Sequence, residues 1–283
     1  MSTRDHGSSH PRFALAAVDI DDTLVGPDGV ISAANAAAVA RLVADGTRVV
    51  LASGRSHANM VPFHRALGLP PGPVISAQGA VVRDSGTGEV RFAYPIPPDE
   101  VSAVTRDGRE RGFALQHYRS TGIYIEARTR WTEYDQSRNA EPHVHVGDLL
   151  STGERKEAPH DVAKIIWLGN PDVLNNLTAE MHARYDARLT VTRTDPPYLE
   201  FSPPNVTKAT ALAAVAAELG VARERVLAFG DGNNDAAMLA WAGMGVAMPH
   251  ARESARTAAN LIGPEGDAES AFARAVTMVL DDS

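Results

Sequence analysis

The chain has 283 residues, 44% hydrophobic and 22% charged, with no cysteine and a net charge of −8 at pH 7. The length allows two domains or one large one, and the acidic balance argues against nucleic acid, whose partners carry a basic face. Without cysteine there is no disulfide, no thiol nucleophile and no sulfur-ligated zinc. No run reaches the ~18 consecutive apolar residues of a membrane span. Residues 1–12 are polar, lack an apolar signal core and read as a disordered tail, so a cytoplasmic location is expected.

From Phe13 onward short apolar strands alternate with amphipathic helices. Phe13–Ile20 reads as a strand, and Ser32 caps a helix running to about Asp45, with Gly46 just beyond it. Arg48–Ala52 is the next strand, Ser53-Gly54-Arg55 the turn after it, Ser56–Leu67 a helix closed by Gly68, and Val74–Ser76 a third strand. This β-α-β-α-β order predicts a parallel sheet with helices on its faces. Val81–Arg83, a turn over 84–88 and Val90–Tyr94 then read as a hairpin.

The segment from about Pro97 to Tyr198 has a different texture, rich in proline and charge. Helices are expected at Asp99–Arg111 and Asp172–Tyr185. Strands are expected at Phe113–His117, Gly122–Glu126, Ala163–Leu168, Leu189–Thr194 and Tyr198–Phe201, and Ser137–Pro159 reads as loop. The α/β texture resumes after Pro203-Pro204, with a helix over Thr207–Leu219 ended by Gly220. A strand Arg225–Phe229, a helix Asn234–Trp241, a strand Met244–Ala247 and two short helices around Leu261-Ile262 follow. The pattern predicts an α/β protein, a Rossmann-like parallel-sheet core with an inserted α+β cap domain. The core takes residues 13–83 and 202–283 and the cap residues 84–201.

Four segments carry candidate chemistry. Asp19-Ile20-Asp21-Asp22-Thr23 and Gly230-Asp231-Gly232-Asn233-Asn234-Asp235 each follow a buried apolar run. Ligands of open α/β sheets bind just beyond the carboxyl ends of the strands. If the two strands are neighbours, their carboxylates converge and repel one another unless a divalent cation, best Mg²⁺, sits among them. Asp19 and Asp21 share a face if the backbone is extended. One could then attack as nucleophile while the other protonates a leaving group and later activates water. The Ser53 hydroxyl and the amides around Gly54 can hold phosphate oxygens. Lys208 is one of only three lysines and stands at a helix start, against the helix dipole, which suits a cation with an anion to neutralise. Each segment alone also fits an ordinary turn or helix cap; the four together are far less probable by chance.

In this order, Asp-x-Asp-x-Thr-Leu, Ser-Gly-Arg, Lys208 and Gly-Asp-Gly-Asn-Asn-Asp resemble the motifs of the haloacid dehalogenase superfamily. More narrowly, the chain is similar to Cof-type phosphatases with a class IIB cap. The resemblance implies that Asp19 is the nucleophile forming an aspartyl-phosphate and Asp21 the general acid/base. The Asp19 carboxylate, the Asp21 carbonyl and the Asp231 carboxylate would hold Mg²⁺. Ser53, Gly54 and the Ile20 amide would bind phosphoryl oxygens, and Lys208 would balance charge. Asn234 would contact the phosphate, and Asp235 would orient a water on the metal or Lys208. Three positions depart from the pattern: Asp22 stands where many relatives have Gly, Ser53 where Thr is commoner, and Gln78 where Asn usually precedes Gly-Ala.

Elsewhere, Arg55 either reaches substrate or pairs with an acid. His143 and His145 either bind a metal or lie on a surface strand or loop of the cap. Trp131, Tyr134 and Trp167 either line a pocket or pack the cap. The expected function is Mg²⁺-dependent hydrolysis of small phosphorylated metabolites, above all sugar phosphates, by a monomer or weak homo-oligomer, with the cap choosing the leaving group. The alternatives are a sugar phosphomutase, which shares the aspartyl-phosphate, a non-catalytic metabolite-binding relative and a phospho-acceptor receiver domain. The intact acidic motifs argue against the binding relative, and the chain is far too long for the receiver.

Overall fold

The computed structural model describes residues 11–26, 28–119, 121–151, 161–185 and 187–281. The elements in chain order are β1 (Leu15–Asp19), α1 (Ala33–Ala44), β2 (Arg48–Ala52), α2 (His57–Ala66), β3 (Pro73–Ser76), β4 (Val81–Asp84) and β5 (Val90–Ala93). Next come α3 (Pro98–Glu110), β6 (Ala114–Arg119), β7 (Gly122–Ile125), α4 (Arg130–Arg138), β8 (His143–His145), β9 (Val162–Leu168), α5 (Pro171–Tyr185), β10 (Thr190–Thr192) and β11 (Tyr198–Ser202). The chain closes with α6 (Lys208–Glu218), β12 (Val226–Gly230), α7 (Ala236–Trp241), β13 (Met244–Ala247), α8 (Glu253–Ala258), β14 (Leu261–Ile262) and α9 (Ala271–Asp281). Two compact units result, one of residues up to Leu51 and from Ala213 on, the other of Ala52–Leu212.

In the first unit the strand order is β14-β13-β12-β1-β2. β1 runs parallel to β12, pairing Leu15 with Val226 through Val18 with Phe229, and β13 and β14 continue in parallel. Every residue of β1 and β12 is buried, as expected of central parallel strands covered on both faces. Helix α1 starts where Ser32 accepts the Asn35 N–H at 3.1 Å. Asn35, fully buried, donates to the Leu24 carbonyl and accepts the Ala273 amide, tying the loop after β1 to α1 and α9. That loop leads directly to the acidic end of β1.

In the second unit Ala52, the last residue of β2, pairs in parallel with Ile75 of β3, and β3-β4-β5 continue antiparallel. A six-stranded sheet follows, in the order β10-β11-β9-β6-β7-β8, antiparallel except for the β7–β8 pair. Side chains alternate between its faces. Leu115, Ile165, Trp167, Leu199 and Phe201 join Val101 and Val104 of α3 and Leu174, Met181 and Tyr185 of α5 in one apolar cluster. Trp167 stacks on Phe113 at 5.4 Å and meets Phe201 at 4.7 Å, so it packs this core rather than lining a pocket. The opposite face carries Gln116, Tyr118, Lys164, Ile166, Tyr198 and Glu200 in alternation.

Helix α4 was not expected from the pattern, and β8 falls in the stretch read as loop. Arg130–Arg138 has no apolar stripe. Its start is fixed by a reciprocal cap in which Thr129 and Thr132 bond each other's backbone amides, and by Trp131 packed against the sheet. Residues 1–10 of the expected tail and 152–160 of the expected loop lie outside the described residues. Among the described residues no helix is long and apolar enough to cross a membrane.

His117 is fully buried on the helix-covered face. Thr105 Oγ1 donates to the Val101 carbonyl, so it accepts from His117 Nε2 at 2.8 Å, leaving Nδ1 as a buried lone pair without a partner. Burial pushes the imidazole pKa down to about 3, helped by the charges of Arg119 and Arg109. The group stays neutral when folded, whereas unfolded chains bind its proton below the usual histidine value. Stability is therefore whole above about pH 6.5 and falls as pH drops towards 3, by up to about 1.4 kcal/mol per pH unit. Urea unfolding followed by tryptophan fluorescence should show a loss between pH 6.5 and 5 that is about 2 kcal/mol smaller in His117→Asn than in the wild type.

Candidate active site

The first unit brings three carboxylates together. Asp19 is the last residue of β1 and is buried, Asp231 follows the last residue of β12, and Asp235 is completely buried just before α7. Each offers one oxygen, and the three lie within 4.8 Å of one another. The pairing of β1 with β12 creates this proximity, because both strands end at the same edge of the sheet.

The loop after β12 is built around Asp235. Its Oδ2 accepts the amides of Asp231 at 3.1 Å and Gly232 at 2.8 Å. Gly230 permits that closure: a Cβ there would lie 2.5 Å from the Asp235 Cβ. Thr23, also buried, donates its hydroxyl to Asp231 Oδ1 at 2.9 Å. Burial, followed by the negative charge of Asp235, still pushes the Asp231 carboxyl up to about 6, the Thr23 hydrogen bond opposing the shift. Clustered, desolvated, oxygen-only donors are the set that fits a hard divalent cation. A bound cation would replace repulsion with attraction.

Asp21 sits differently from the extended-strand expectation. The strand stops at Asp19, because Leu24 N and Val25 N both donate to the Ile20 carbonyl and turn the chain. Asp21 lies beyond the strand, exposed, in an isolated parallel bridge with Val25 that closes the loop. Asp22 follows with φ of +56°, a left-handed conformation that explains why glycine suits this position. Asn234 is exposed. Two contributors escaped the sequence reading. Thr23 was quoted within its motif without a role, and His250 donates from Nε2 to the Asp22 carbonyl at 2.6 Å. The signal for His250 was its position just after β13, at another strand end on the same edge.

The second unit holds the other candidates. Ser53 is buried, its amide donating to the Ile75 carbonyl at 2.9 Å and its Oγ accepting the Arg55 amide at 3.2 Å. The Arg55 guanidinium lies over the Phe63 ring at 5.1 Å. The turn after β3 clasps this loop: Ala77 N donates to Arg55 O and Gln78 N to Ser53 O. Ala77 and Gln78 both adopt positive φ, +49° and +59°. The Gln78 carboxamide lies so close over Gly54 that a Cβ there would be 2.4 Å from its Nε2. Gly79, at φ +98°, leaves no room for a Cβ, which would come 2.2 Å from Thr207 O and 3.0 Å from Lys208 N. Thr207 and Thr210 cap α6 reciprocally, and Lys208, its first residue, is buried.

On the polar face of the six-stranded sheet, Lys164 Nζ reaches the Gly54 carbonyl at 3.4 Å and Glu200 Oε2 at 3.3 Å, above the Tyr118 ring at 4.4 Å. Asn139 accepts from Ser56 Oγ and Asn59 Nδ2 and donates to the Tyr118 hydroxyl. His143 is engaged with Asp135 at 2.8 Å, in a network with Gln116 and Tyr198, while His145 is exposed. The two histidines therefore form no metal cluster with acidic groups among the described residues. Trp131 packs the sheet, and Tyr134 is partly exposed, edge-on to Tyr198.

A parallel α/β sheet with acidic strand ends, joined to a second mixed sheet, defines a class of hydrolases. The haloacid dehalogenase-like hydrolase family matches residues 16–276, and the chain belongs to that family, in its Cof-like IIB branch. The HMP-PP phosphatase of Cronobacter sakazakii is 28% identical over 239 residues, 84% of each chain. The 5-amino-6-(5-phospho-D-ribitylamino)uracil phosphatase of Bacillus subtilis is 26% identical over 269 residues, 93% of this chain and 94% of that one. A haloacid dehalogenase-like hydrolase of Bacteroides thetaiotaomicron superposes with a TM-score of 0.81 at 28% identity, covering 94% of this chain and 99% of that one. The protein is a phosphomonoester hydrolase acting on small phosphorylated metabolites.

The carboxylate cluster makes a stability prediction. Saturating Mg²⁺ should raise the melting temperature, by an amount equivalent to about 2.7 kcal/mol at a hundredfold excess over Kd. Asp231→Asn should melt higher than the wild type without metal, since one repelling charge is gone, and lose most of the Mg²⁺ response. Thermal unfolding with Mg²⁺ and with EDTA checks both signs.

Proposed function

We propose that the chain hydrolyses phosphomonoesters of polyhydroxylated metabolites, sugar phosphates above all, in a Mg²⁺-dependent reaction through an aspartyl-phosphate. The observation that carries this reading is the clustering of Asp19, Asp231 and Asp235 within 4.8 Å at the ends of paired strands, in a member of a phosphatase family. Asp19 attacks phosphorus, and the ester oxygen leaves with a proton from Asp21. Asp21 then takes a proton from water, whose oxygen attacks the aspartyl-phosphate, releasing phosphate and restoring Asp19. Ser53, Gly54 and the Ile20 amide hold phosphoryl oxygens, while Lys208 and Asn234 neutralise and orient the group. Asp19, Asp231 and the Asp21 carbonyl would hold the cation, with Asp235 supporting them; Mg²⁺ bound there would supply charge neutralisation at the phosphoryl oxygens.

The polyhydroxylated leaving group is supported by the chemistry of the mixed sheet. Lys164 and Glu200, each about 95% buried, offer a donor and an acceptor side by side, with Tyr118 beneath. Sugar hydroxyls both donate and accept. A second phosphate would meet Glu200 as a like charge, and an apolar group would shield the pair from solvent while filling none of its remaining hydrogen-bonding positions. The two phosphatases compared above act on different compounds, so family membership leaves this choice to the chain's own residues.

Phosphate release from a panel of sugar phosphates, nucleotides and phosphorylated cofactors tests the reading. Release should concentrate on sugar phosphates, vanish with EDTA and fall to background in Asp19→Asn. Transfer to a second sugar hydroxyl without phosphate release would show a mutase instead. Lys164→Met should raise KM for the preferred sugar phosphate by about one to two decades, the worth of a charge-assisted hydrogen bond of about 1.5–3 kcal/mol. An unchanged KM would remove Lys164 from substrate recognition.

A further inference from the structure

The loop that carries Asp21 is the least regular part of the acidic site, yet it is held from two sides. Within it, Leu24 N and Val25 N close on the Ile20 carbonyl, and Thr23 Oγ1 binds Asp231. Asp22 stands in the left-handed region at φ +56°, which non-glycine residues enter only when something compensates. The compensation is local: its carbonyl accepts a 2.6 Å hydrogen bond from His250 Nε2.

The donor is itself anchored. His250 lies on the turn after β13, where Met248 N donates to Gly230 O at 3.0 Å, Ala251 N to Met248 O at 3.0 Å and Arg252 N to Asp231 O at 2.8 Å. Arg256 Nη1 holds the Pro249 carbonyl at 2.6 Å. The turn is thus pinned at both ends to the backbone of Gly230 and Asp231, beside the carboxylate that Thr23 binds. A neutral imidazole with its proton on Nε2 and a charged one both donate here, so the bond does not depend on ionisation.

We propose that His250 is a positioning residue. By fixing the peptide after Asp22 in its left-handed turn, it sets the direction in which Asp21 delivers a proton to the leaving group. The inference rests on the reading of Asp21 as general acid above. It separates from general loop stability because a leaving group that departs as a stable anion needs no acid, whereas a sugar alkoxide does.

The test compares kcat/KM, which covers steps up to leaving-group departure, for two esters with Mg²⁺ present. One is the sugar phosphate the wild type turns over fastest, the other p-nitrophenyl phosphate. His250→Ala should lose about tenfold or more on the sugar phosphate and less than about twofold on the aryl ester. His250→Gln, whose amide nitrogen reaches about as far as Nε2, should restore most of the loss. In an Asp22→Gly background, where the turn needs less support, the penalty of His250→Ala should shrink. Equal losses on both esters, no loss at all, or no rescue by glutamine would overturn the role of His250. A wild type that released phosphate from neither ester would overturn the phosphatase reading, and this inference with it.

Discussion

Mutual repulsion among Asp19, Asp231 and Asp235 is the constraint around which the first unit is organised. Three carboxylates within 4.8 Å, one of them completely buried, cost free energy unless compensated. Part of the compensation is local and neutral: two backbone amides for Asp235 and a hydroxyl for Asp231. These do not cancel the charge, as the upward shift of the Asp231 carboxyl to about 6 records. The remaining imbalance is one that a bound divalent cation would remove, so that a loaded site would be more stable than an empty one. The completely buried β1 and β12 are rigid enough to impose that geometry.

The second unit meets a different constraint, holding the Ser53–Arg55 loop and the buried Lys208 in place. The turn Ala77-Gln78-Gly79 is the solution. It bonds to both ends of the Ser53–Arg55 loop and packs its glycine on the Thr207–Lys208 peptide. Two successive non-glycine residues at positive φ are costly, of order 1–3 kcal/mol each, and persist because neighbours on both sides over-determine them. Each unit places non-glycine residues at positive φ in a loop with candidate site residues, Asp22 in one and Ala77 and Gln78 in the other, while Ala187 and Asn205 share the conformation elsewhere in the second unit.

Most of this was legible in the sequence because the core elements announce themselves. Apolar runs such as Ala14–Val18 and Val226–Phe229, with Ser32, Gly46 and Gly220 as punctuation, gave the strand and helix order. The acidic ends of the Ala14–Val18 and Val226–Phe229 runs marked the candidate carboxylates; that they meet depended on the two strands being neighbours, which the pairing of β1 with β12 supplies. Face-sharing of Asp19 and Asp21 depended on an extended backbone past the strand end, and the chain turn at Ile20 rests on two backbone hydrogen bonds that no side-chain pattern signals. Helix α4 was missed because its stability comes from the Thr129–Thr132 cap and from Trp131, not from an apolar period. His250 bonds a backbone carbonyl 228 residues away; its place just after β13 marks the edge it stands on, while the partner itself has no side-chain signature.

The six-stranded sheet shows how one strand period can serve two ends. Its odd-numbered residues on β9 and β11, Ile165, Trp167, Leu199 and Phe201, build an apolar core with α3 and α5. Its even-numbered residues, Lys164, Glu200 and Tyr198, with Gln116 on β6, build a polar face. A buried ion pair such as Lys164–Glu200 adds little to stability, because desolvation offsets the attraction, and an apolar pair of similar volume would serve the fold as well. The retained charges are what the proposed recognition of a polyhydroxylated leaving group would use. Lys164 bonds to Gly54 O, and Gly54 lies under the Gln78 carboxamide. The polar face and the loop after β2 are thereby linked through one carbonyl.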